Sequence, residues 1–215
     1  MPVSAKICGI NSVAALEAAI GGGAGFVGFV FYPPSLRALT ADAAAVLAAA
    51  VPASITKVGL FVDDPDARIG EVLDQVPLDM LQLHGRETPA RVDEIKRRFA
   101  LPVMKAVTIA AAADLAAADS YIGHADWLLF DAKAPPQMTG ALPGGNALSF
   151  DWRLLAGRAW PLPWMLSGGL TAANLAEAVG ISGARVVDVS SGVESRPGQK
   201  DPQKIADFLA EAKRL

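Results

Sequence analysis

The sequence contains few of the residues that would form a metal centre, a disulfide framework or a membrane span. One cysteine and two histidines occur in 215 residues, so neither an intrachain disulfide nor a metal-ligand cluster with normal spacing can be assembled. The net charge of −3 gives no electrostatic reason to expect a nucleic acid or an anionic membrane as a partner. Asp, Pro and Gly interrupt the alanine-rich stretches before they reach the length that spans a membrane.

Two nucleotide-binding motifs and an export signal are also missing. No Gly-x-Gly-x-x-Gly follows the first predicted strand, which argues against a dinucleotide fold, and no Walker-type Gly-Lys-Ser/Thr is present. The first residues do not form a basic segment followed by an apolar core, so no export signal is expected. A single cysteine fits a reducing compartment. We therefore expect a cytoplasmic protein.

Short apolar runs alternate with alanine-rich segments along the chain. The runs that predict strands are residues 5–8, 26–31, 55–62, 80–83, 103–107, 127–130, 163–166 and 186–189. The segments that predict helices are residues 13–20, 41–50, 66–76, 89–99, 110–118, 152–156, 172–179 and 202–213. Plausible helix N-caps are Ser12, Thr40, Thr88, Asp151, Thr171 and Asp201. Continuous apolar strands separated by helices indicate a parallel sheet that is covered on both faces.

Eight strand–helix units in this length allow closure into an α/β fold of the (β/α)₈ barrel type, with residues 1–215 as one domain. A doubly wound open sheet is the alternative. In a barrel, the functional residues lie on the loops that follow the strands. The long irregular segment 132–148 is rich in Pro and Gly and directly follows Asp131, which is typical of a mobile lid over a site.

Cys8 ends the first predicted strand and is followed by a glycine. A lone cysteine among apolar residues is commonly a small buried side chain, whereas a cysteine at the carboxyl end of a barrel strand can take part in chemistry. Both interpretations are open at this point.

Two glycine-containing loops follow the seventh and eighth predicted strands. They contain Gly168 and Gly169 in LSGGL, and Ser191 and Gly192 in SSGVE. Glycines let backbone N–H groups approach an anion, and this pair of loops is a frequent phosphate site in barrels. We favour that interpretation over simple tight turns. Without a Walker motif, the phosphate is expected to belong to a sugar.

Three polar residues at other strand ends are candidates for the same site. Asp131 could act as a general acid if it is protonated, or it could cap a loop or pair with Lys133 or Lys105. Arg37, after the aromatic residues of FYPPS, could bind a carboxylate in bidentate fashion or lie exposed. His84 could contact a ligand or belong to an ordinary loop.

Segments at the ends of the successive strands form an ordered set. They are KICG at 6–9, GFVFYPPS at 28–35 with Arg37, KVGLFV at 57–62, LQLHG at 81–85, LFD at 129–131, GG at 144–145, FDW at 150–152, LSGGL at 166–170 and VDVSSGVE at 187–194. This set resembles the phosphoribosylanthranilate isomerase family of tryptophan biosynthesis, over essentially the whole chain.

The resemblance implies a barrel that catalyses an Amadori rearrangement of N-(5-phosphoribosyl)anthranilate, with no metal or redox cofactor. It implies that Cys8 is the general base, that Asp131 is the general acid, and that Arg37 holds the anthranilate carboxylate. The other implied site residues are Asp188 near the ribose hydroxyls, His84 with no assigned role, and Gly168, Gly169, Ser191 and Gly192 at the phosphate. The expected partner is a small phosphosugar, and the chain is expected to be a monomer or a homodimer.

A cysteine serves as a base at neutral pH only when the pKa of its thiol falls from about 8.5. Lys6 is expected on the opposite face of the first strand from Cys8, so we assign it no part in that change. One alternative function is the related aldose–ketose isomerase of histidine biosynthesis, which has carboxylates at both catalytic positions. Cys8 argues against it. A non-catalytic phosphate-binding barrel is the other alternative.

Overall fold

Eight parallel strands close into a barrel in a computed structural model of the protein, which describes residues 2–135, 137–138 and 142–215. The strands are β1 Ser4–Cys8, β2 Phe26–Val30, β3 Thr56–Phe61, β4 Met80–Leu83, β5 Val103–Ile109, β6 Trp127–Ala132, β7 Trp164–Leu166 and β8 Val186–Val189. Each strand pairs with the next, and β8 pairs with β1. The predicted (β/α)₈ barrel is confirmed, and the open sheet is excluded.

Helices follow the strands and cover the outside of the barrel. They are α1 Val13–Gly21, α2 Ala41–Ala49, α3 Asp66–Leu73, α4 Pro89–Phe99, α5 Leu115–Asp119, α6 Leu175–Ser182 and α7 Pro202–Arg214. The side chains of Ser12, Thr40, Thr88 and Asp201 accept backbone N–H hydrogen bonds at the starts of α1, α2, α4 and α7, as predicted. No helix in the described part of the chain has both the length and the apolar character needed to cross a membrane.

The helix predicted at 172–179 begins later than expected. Thr171 and Asn174 each accept a hydrogen bond from the other's backbone N–H, and this closes a turn ahead of α6. Side chains of this type compete with the helical backbone for hydrogen bonds. The helix therefore begins at Leu175, and Thr171 is not its N-cap.

Two other predicted helices are shorter and tighter. The segment predicted at 110–118 forms a 3₁₀ turn, Ala112–Asp114, before α5, because the Asp114 carboxylate accepts the N–H groups of Ala110 and Ala111. The segment predicted at 152–156 is a 3₁₀ helix, Trp152–Leu155, capped by Asp151 as expected.

Strand β6 extends two residues beyond the prediction, and a hairpin was not predicted at all. Pairing of β5 with β6 continues through Thr108 and Asp131, so Asp131 lies within a strand and not in a loop. The hairpin consists of β9 Glu194–Arg196 and β10 Gln199–Lys200. It follows the eighth barrel strand and brings Lys200 back beside Glu194.

An apolar cluster fills the barrel interior below the carboxyl ends of the strands. Its buried members are Val58, Met80, Met104, Ala106, Leu129 and Met165, all on barrel strands. Flexible methionine side chains fill irregular space in such a core. The barrel is therefore a packed support for the residues above this cluster, and not an open channel.

Candidate active site

One pocket opens at the carboxyl ends of the strands, with a volume of about 730 Å³ including its open mouth. All of the predicted site residues line it, namely Cys8, Arg37, His84, Asp131, Gly168, Gly169, Asp188, Ser191 and Gly192. They come from different strand ends that parallel closure brings to one rim. The predicted convergence of these residues is therefore observed, although their chemical roles are not tested by it.

Cys8 is almost fully buried at the end of β1, opposite Gly28 of β2. A Cβ atom on Gly28 would stand 3.1 Å from Cys8 Sγ and 3.2 Å from Lys6 Nζ. The ammonium therefore shares the space beside the thiol, and the prediction that Lys6 lies on the opposite face is wrong. Residues two apart in a strand point to the same face.

Burial raises the pKa of the Cys8 thiol above its ordinary value, and this is the largest influence on it. The positive charges of Lys6 and Lys200 act in the opposite direction, whereas the negative charge of Asp188 adds to the rise. The net change is upward, so without substrate the thiol form is favoured more than in a free cysteine. A thiolate in this pocket needs a nearby cation.

Asp188 connects two residues that the sequence analysis did not assign to the site. Lys6 Nζ donates to one carboxylate oxygen at 2.8 Å, and Ser167 Oγ donates to the other at 3.0 Å. All three side chains are buried. Although burial alone would lower it, Asp188 and Cys8 hold the pKa of Lys6 above its ordinary value, so Lys6 is an ammonium at neutral pH.

Asp131 is buried beside His84. Its Oδ1 accepts the N–H of Ala132 at 2.9 Å, and its Oδ2 lies 3.3 Å from His84 Nε2. On the other side of the ring, Gln82 Nε2 lies 2.9 Å from His84 Nδ1. With the Gln82 amide assigned in this orientation, Nδ1 is the acceptor and the ring hydrogen lies on Nε2. Nε2 is close to Asp131 but makes no hydrogen bond to any residue that the structure describes.

The two ion pairs considered for Asp131 form elsewhere. On the exposed side of the protein, Lys133 Nζ pairs with Asp114 Oδ1 at 2.7 Å. Lys105 pairs with buried Glu87, at 2.8 Å. His84 is therefore the neighbour of Asp131, and the carboxyl faces the pocket.

Arg37 is buried, which excludes the interpretation of an exposed arginine. Its Nε and Nη2 donate to the two carboxylate oxygens of Glu194, at 2.7 and 2.9 Å. Nη2 also donates to the Gly145 carbonyl at 3.3 Å. Among the residues that the structure describes, none accepts a hydrogen bond from Nη1 of Arg37.

Glu194 also binds Lys200, whose Nζ donates to Glu194 Oε1 at 2.8 Å. Burial would raise the pKa of this carboxyl, but its bonds to Arg37 and Lys200 outweigh burial and hold the pKa below its ordinary value. Glu194 lies in the SSGVE segment, yet its partner could not be found from that segment. No motif or pattern in the sequence indicated that Lys200 belongs to the site.

Apolar side chains form the wall of the pocket between Cys8 and Arg37. Val30 and Leu60 are buried against Cys8, with Tyr32 and Val62 packed on them. These residues also line the pocket. A flat apolar group with a carboxylate at its edge would fit this wall, because Arg37 supplies the charge beside it.

Residues 142–148 cover part of the pocket. A Cβ atom on Gly144 would stand 2.8 Å from His84 Cε1 and 2.9 Å from Asp131 Oδ2, so only glycine allows this approach. Asn146 closes the turn through hydrogen bonds to the backbone of Leu142, at 2.7 and 3.0 Å. Residues 136 and 139–141 of the predicted lid lie outside the described residues, and its motion stays a prediction.

The two glycine loops pack against each other and against segment 142–148. Gly168 and Gly169 have φ angles of +91° and +63°, which favour glycine. A Cβ atom on Gly192 would overlap the carbonyl oxygen of Leu170. The glycines thus make tight turns as well as lining the pocket, so the two interpretations of these loops are compatible.

Comparisons with known proteins indicate one family. The profile of the family described as N-(5'phosphoribosyl)anthranilate (PRA) isomerase matches residues 5–211. A protein from Paramagnetospirillum magneticum, named N-(5'-phosphoribosyl)anthranilate isomerase, is 58% identical over 213 residues, covering 99% of this chain and 98% of that one. The protein of the same name from Rhodospirillum centenum is 59% identical over 210 residues, covering 98% of each chain.

Solved structures give the same result. Phosphoribosyl anthranilate isomerase from Thermotoga maritima has a TM-score of 0.88 with this chain at 34% identity, covering 99% of this chain and 100% of that one. A structure of phosphoribosyl anthranilate isomerase in complex with reduced 1-(o-carboxyphenylamino)-1-deoxyribulose 5-phosphate has a TM-score of 0.83 at 33% identity, with the same coverage.

Proposed function

Because this chain belongs to the N-(5'-phosphoribosyl)anthranilate isomerase family, we propose that it converts N-(5-phosphoribosyl)anthranilate into 1-(2-carboxyphenylamino)-1-deoxyribulose 5-phosphate. This is an aldose–ketose isomerisation of the Amadori type, in tryptophan biosynthesis. The observation that supports it most is the position of Cys8 and Asp131 in one pocket, with Arg37 and two glycine loops on the same lining.

The two ends of the substrate suit different parts of this pocket. The anthranilate ring fits the apolar wall of Val30 and Leu60, with its carboxylate at Nη1 of Arg37. The phosphate fits the backbone of the loops at Gly168–Gly169 and Ser191–Gly192. The ribose then lies between them, beside Cys8, Asp131 and Asp188.

Asp131 opens the ribose ring in the first step. Its proton passes to the ring oxygen while the bond from that oxygen to C1′ breaks and the anthranilate nitrogen forms a double bond to C1′. The products of this step are a protonated Schiff base and an Asp131 carboxylate. His84 Nε2, 3.3 Å from Oδ2, is close enough to stabilise the charge that the carboxyl group gains.

Cys8 removes a proton from C2′ in the second step. The Schiff base acidifies that C–H bond, the proton passes to the thiolate, and the electron pair forms the C1′–C2′ double bond of an enolamine. The enolamine becomes the ketone when C1′ gains a proton and the C2′ hydroxyl loses one. Asp188, held by Lys6 and Ser167, lies where it can accept a hydrogen bond from a ribose hydroxyl.

The remaining expectations concern the state of the protein in the cell. We propose that residues 1–215 act as one barrel domain in the cytoplasm, because a reducing compartment keeps Cys8 as a free thiol. One Thermotoga maritima structure, 33% identical over 99% of this chain, is described as mutually generated monomers of a dimeric isomerase. Both a monomer and a homodimer are therefore compatible with this family.

The decisive test is an assay with freshly prepared N-(5-phosphoribosyl)anthranilate, in which turnover is measured as the loss of the substrate's fluorescence. We expect saturable turnover and competitive inhibition by inorganic phosphate. Turnover of the histidine-pathway aminoaldose substrate, without turnover of the anthranilate substrate, would assign the chain to the related isomerase. Phosphate binding without any turnover would support a binding barrel and contradict the proposal.

A further inference from the structure

Lys6 is a fully buried charge to which the steps above give no part of its own. Its side chain is 0% exposed, and its Nζ donates to Asp188 Oδ1 at 2.8 Å. Ser167 holds the other oxygen of the same carboxylate. An ammonium in such a position is costly to bury without a partner, so the surrounding groups must compensate its charge.

The position of Lys6 relative to Cys8 follows from the strand itself. The two residues are two apart on β1, and both side chains point into the barrel. Gly28 lies opposite Cys8 on β2 and has no side chain to separate them, since its Cβ would stand 3.1 Å from the thiol and 3.2 Å from the ammonium. The glycine thus leaves room for contact between the two groups.

The other charged groups with the largest influence on Cys8 lie on β8 and β10. Asp188 of β8 disfavours the thiolate, and Lys200 of β10 favours it more weakly than Lys6 does. The facing residues of β2 are Gly28 and Val30, which carry no charge. Lys6 is therefore the strongest of the groups that oppose the effect of burial on the thiol.

We propose that Lys6 is a positioning residue for Cys8, and that its ammonium, fixed by Asp188, stabilises the thiolate that takes the C2′ proton. The inference rests on the proposed function, which makes Cys8 the base. Lys6 keeps its own proton throughout: the C2′ proton passes to sulfur, and the electron pair moves into the C1′–C2′ bond. Once sulfur is protonated, Lys6 and Asp188 are left as a neutral pair, so the buried site holds no uncompensated charge.

The test uses Cys8 as its own probe, because it is the only cysteine in the chain. The rate of alkylation by iodoacetamide is measured as a function of pH in the wild-type protein, Lys6→Gln and Lys105→Gln. Lys105 is a matched control, because it is also a buried lysine paired with a carboxylate, Glu87, at 2.8 Å. Lys105 is not among the groups with the largest influence on the Cys8 thiol.

In Lys6→Gln we expect the alkylation midpoint to move to higher pH and the rate at pH 7 to fall about tenfold or more, as loss of a nearby opposite charge implies. The kcat of this variant should fall and recover partly as the pH is raised. Lys105→Gln should keep the wild-type midpoint. Equal midpoints in all three proteins, or an equal shift in both variants, would overturn the proposal.

A second variant covers the case in which Lys6→Gln does not fold, since it leaves Asp188 unpaired. Lys6→Met combined with Asp188→Asn removes both charges together. The pH midpoint of Cys8 alkylation should still rise in this double variant, but by less than in Lys6→Gln, because Asp188 opposes Lys6. A midpoint equal to that of the wild-type protein would contradict the proposal. Alkylation reports thiol ionisation without substrate, so a failed isomerase assay would reject the proposed function and leave this result standing.

Discussion

The two ends of the pocket are lined by different kinds of chemical group, charged side chains at one end and backbone at the other. At the proposed anthranilate end, a charged side chain, Arg37, is held by a second side chain, Glu194, 157 residues away in sequence. At the proposed phosphate end, the lining is backbone from Gly168–Gly169 and Ser191–Gly192. The first end depends on a long-range ion pair, and the second on local backbone conformation.

This difference explains why the two ends could be predicted to different depths. The φ angles of +91° at Gly168 and +63° at Gly169 belong to conformations that glycine adopts freely, so LSGGL carries its own structural information. The orientation of Arg37 depends on a carboxylate that the hairpin β9–β10 places beside it. No local pattern around Arg37 contains that information.

The largest effect is expected between the two ends, at Asp131. Asp131→Asn keeps the shape of the side chain but cannot deliver a proton, so kcat should fall by about 10²- to 10⁴-fold. Thermal stability should change little. The control is Asp114→Asn, which removes a carboxylate that pairs with Lys133 away from the pocket. Comparable turnover in both variants would show that Asp131 is a structural residue.

A substitution of Arg37 tests the side-chain end. Arg37→Ala should raise KM by about 10- to 100-fold, which corresponds to about 1.5–3 kcal/mol for a charge-assisted contact. Lys200 still neutralises Glu194 in this variant, so we expect the protein to fold. Arg153→Ala is the control, because Arg153 is exposed and its one partner among the residues that the structure describes is the neighbouring Asp151. Unchanged KM and kcat in Arg37→Ala would remove it from the site.

A substitution of Gly192 tests the backbone end. The added Cβ in Gly192→Ala overlaps the Leu170 carbonyl, so both loops must move, with a loss of about 1–3 kcal/mol of stability. Inhibition by inorganic phosphate should weaken at the same time. Gly180→Ala in α6 meets nothing within 4 Å and should be neutral or slightly stabilising. A stable Gly192→Ala protein with normal phosphate inhibition would contradict the assignment.

The smallest effect concerns pH and the Glu194 carboxyl. Its folded-state pKa lies below the ordinary value of 4.5, because bonds to Arg37 and Lys200 outweigh burial. A depressed carboxyl pKa contributes stability that is complete above the unfolded-state pKa and is lost as the pH falls through the folded-state pKa. The urea concentration at the midpoint of unfolding should therefore decrease as the pH is lowered below about 4.5. This decrease should be less steep in Glu194→Gln. An identical pH dependence in both proteins would contradict this linkage.

Much of the fold and of the candidate site could be predicted from local patterns. The alternation of apolar strands with helices predicted a (β/α)₈ barrel, and closure places Cys8, His84 and Asp131 on one rim. The face of Lys6 was also available from the period of a strand, yet it was predicted wrongly. The chemical roles of these residues stay predictions, because position alone does not test them.

The sequence by itself determined the alternation of strands and helices, the strand ends at which the site lies and the glycine conformations, because these follow from periodicity and from short-range sterics. The tertiary structure alone decided which charges meet. Lys6 pairs with Asp188, which is 182 residues away in sequence, because β8 pairs with β1. Arg37 pairs with Glu194 because the β9–β10 hairpin places Glu194 beside it. Such pairs depend on strand register and barrel closure, and neither can be read from any single segment.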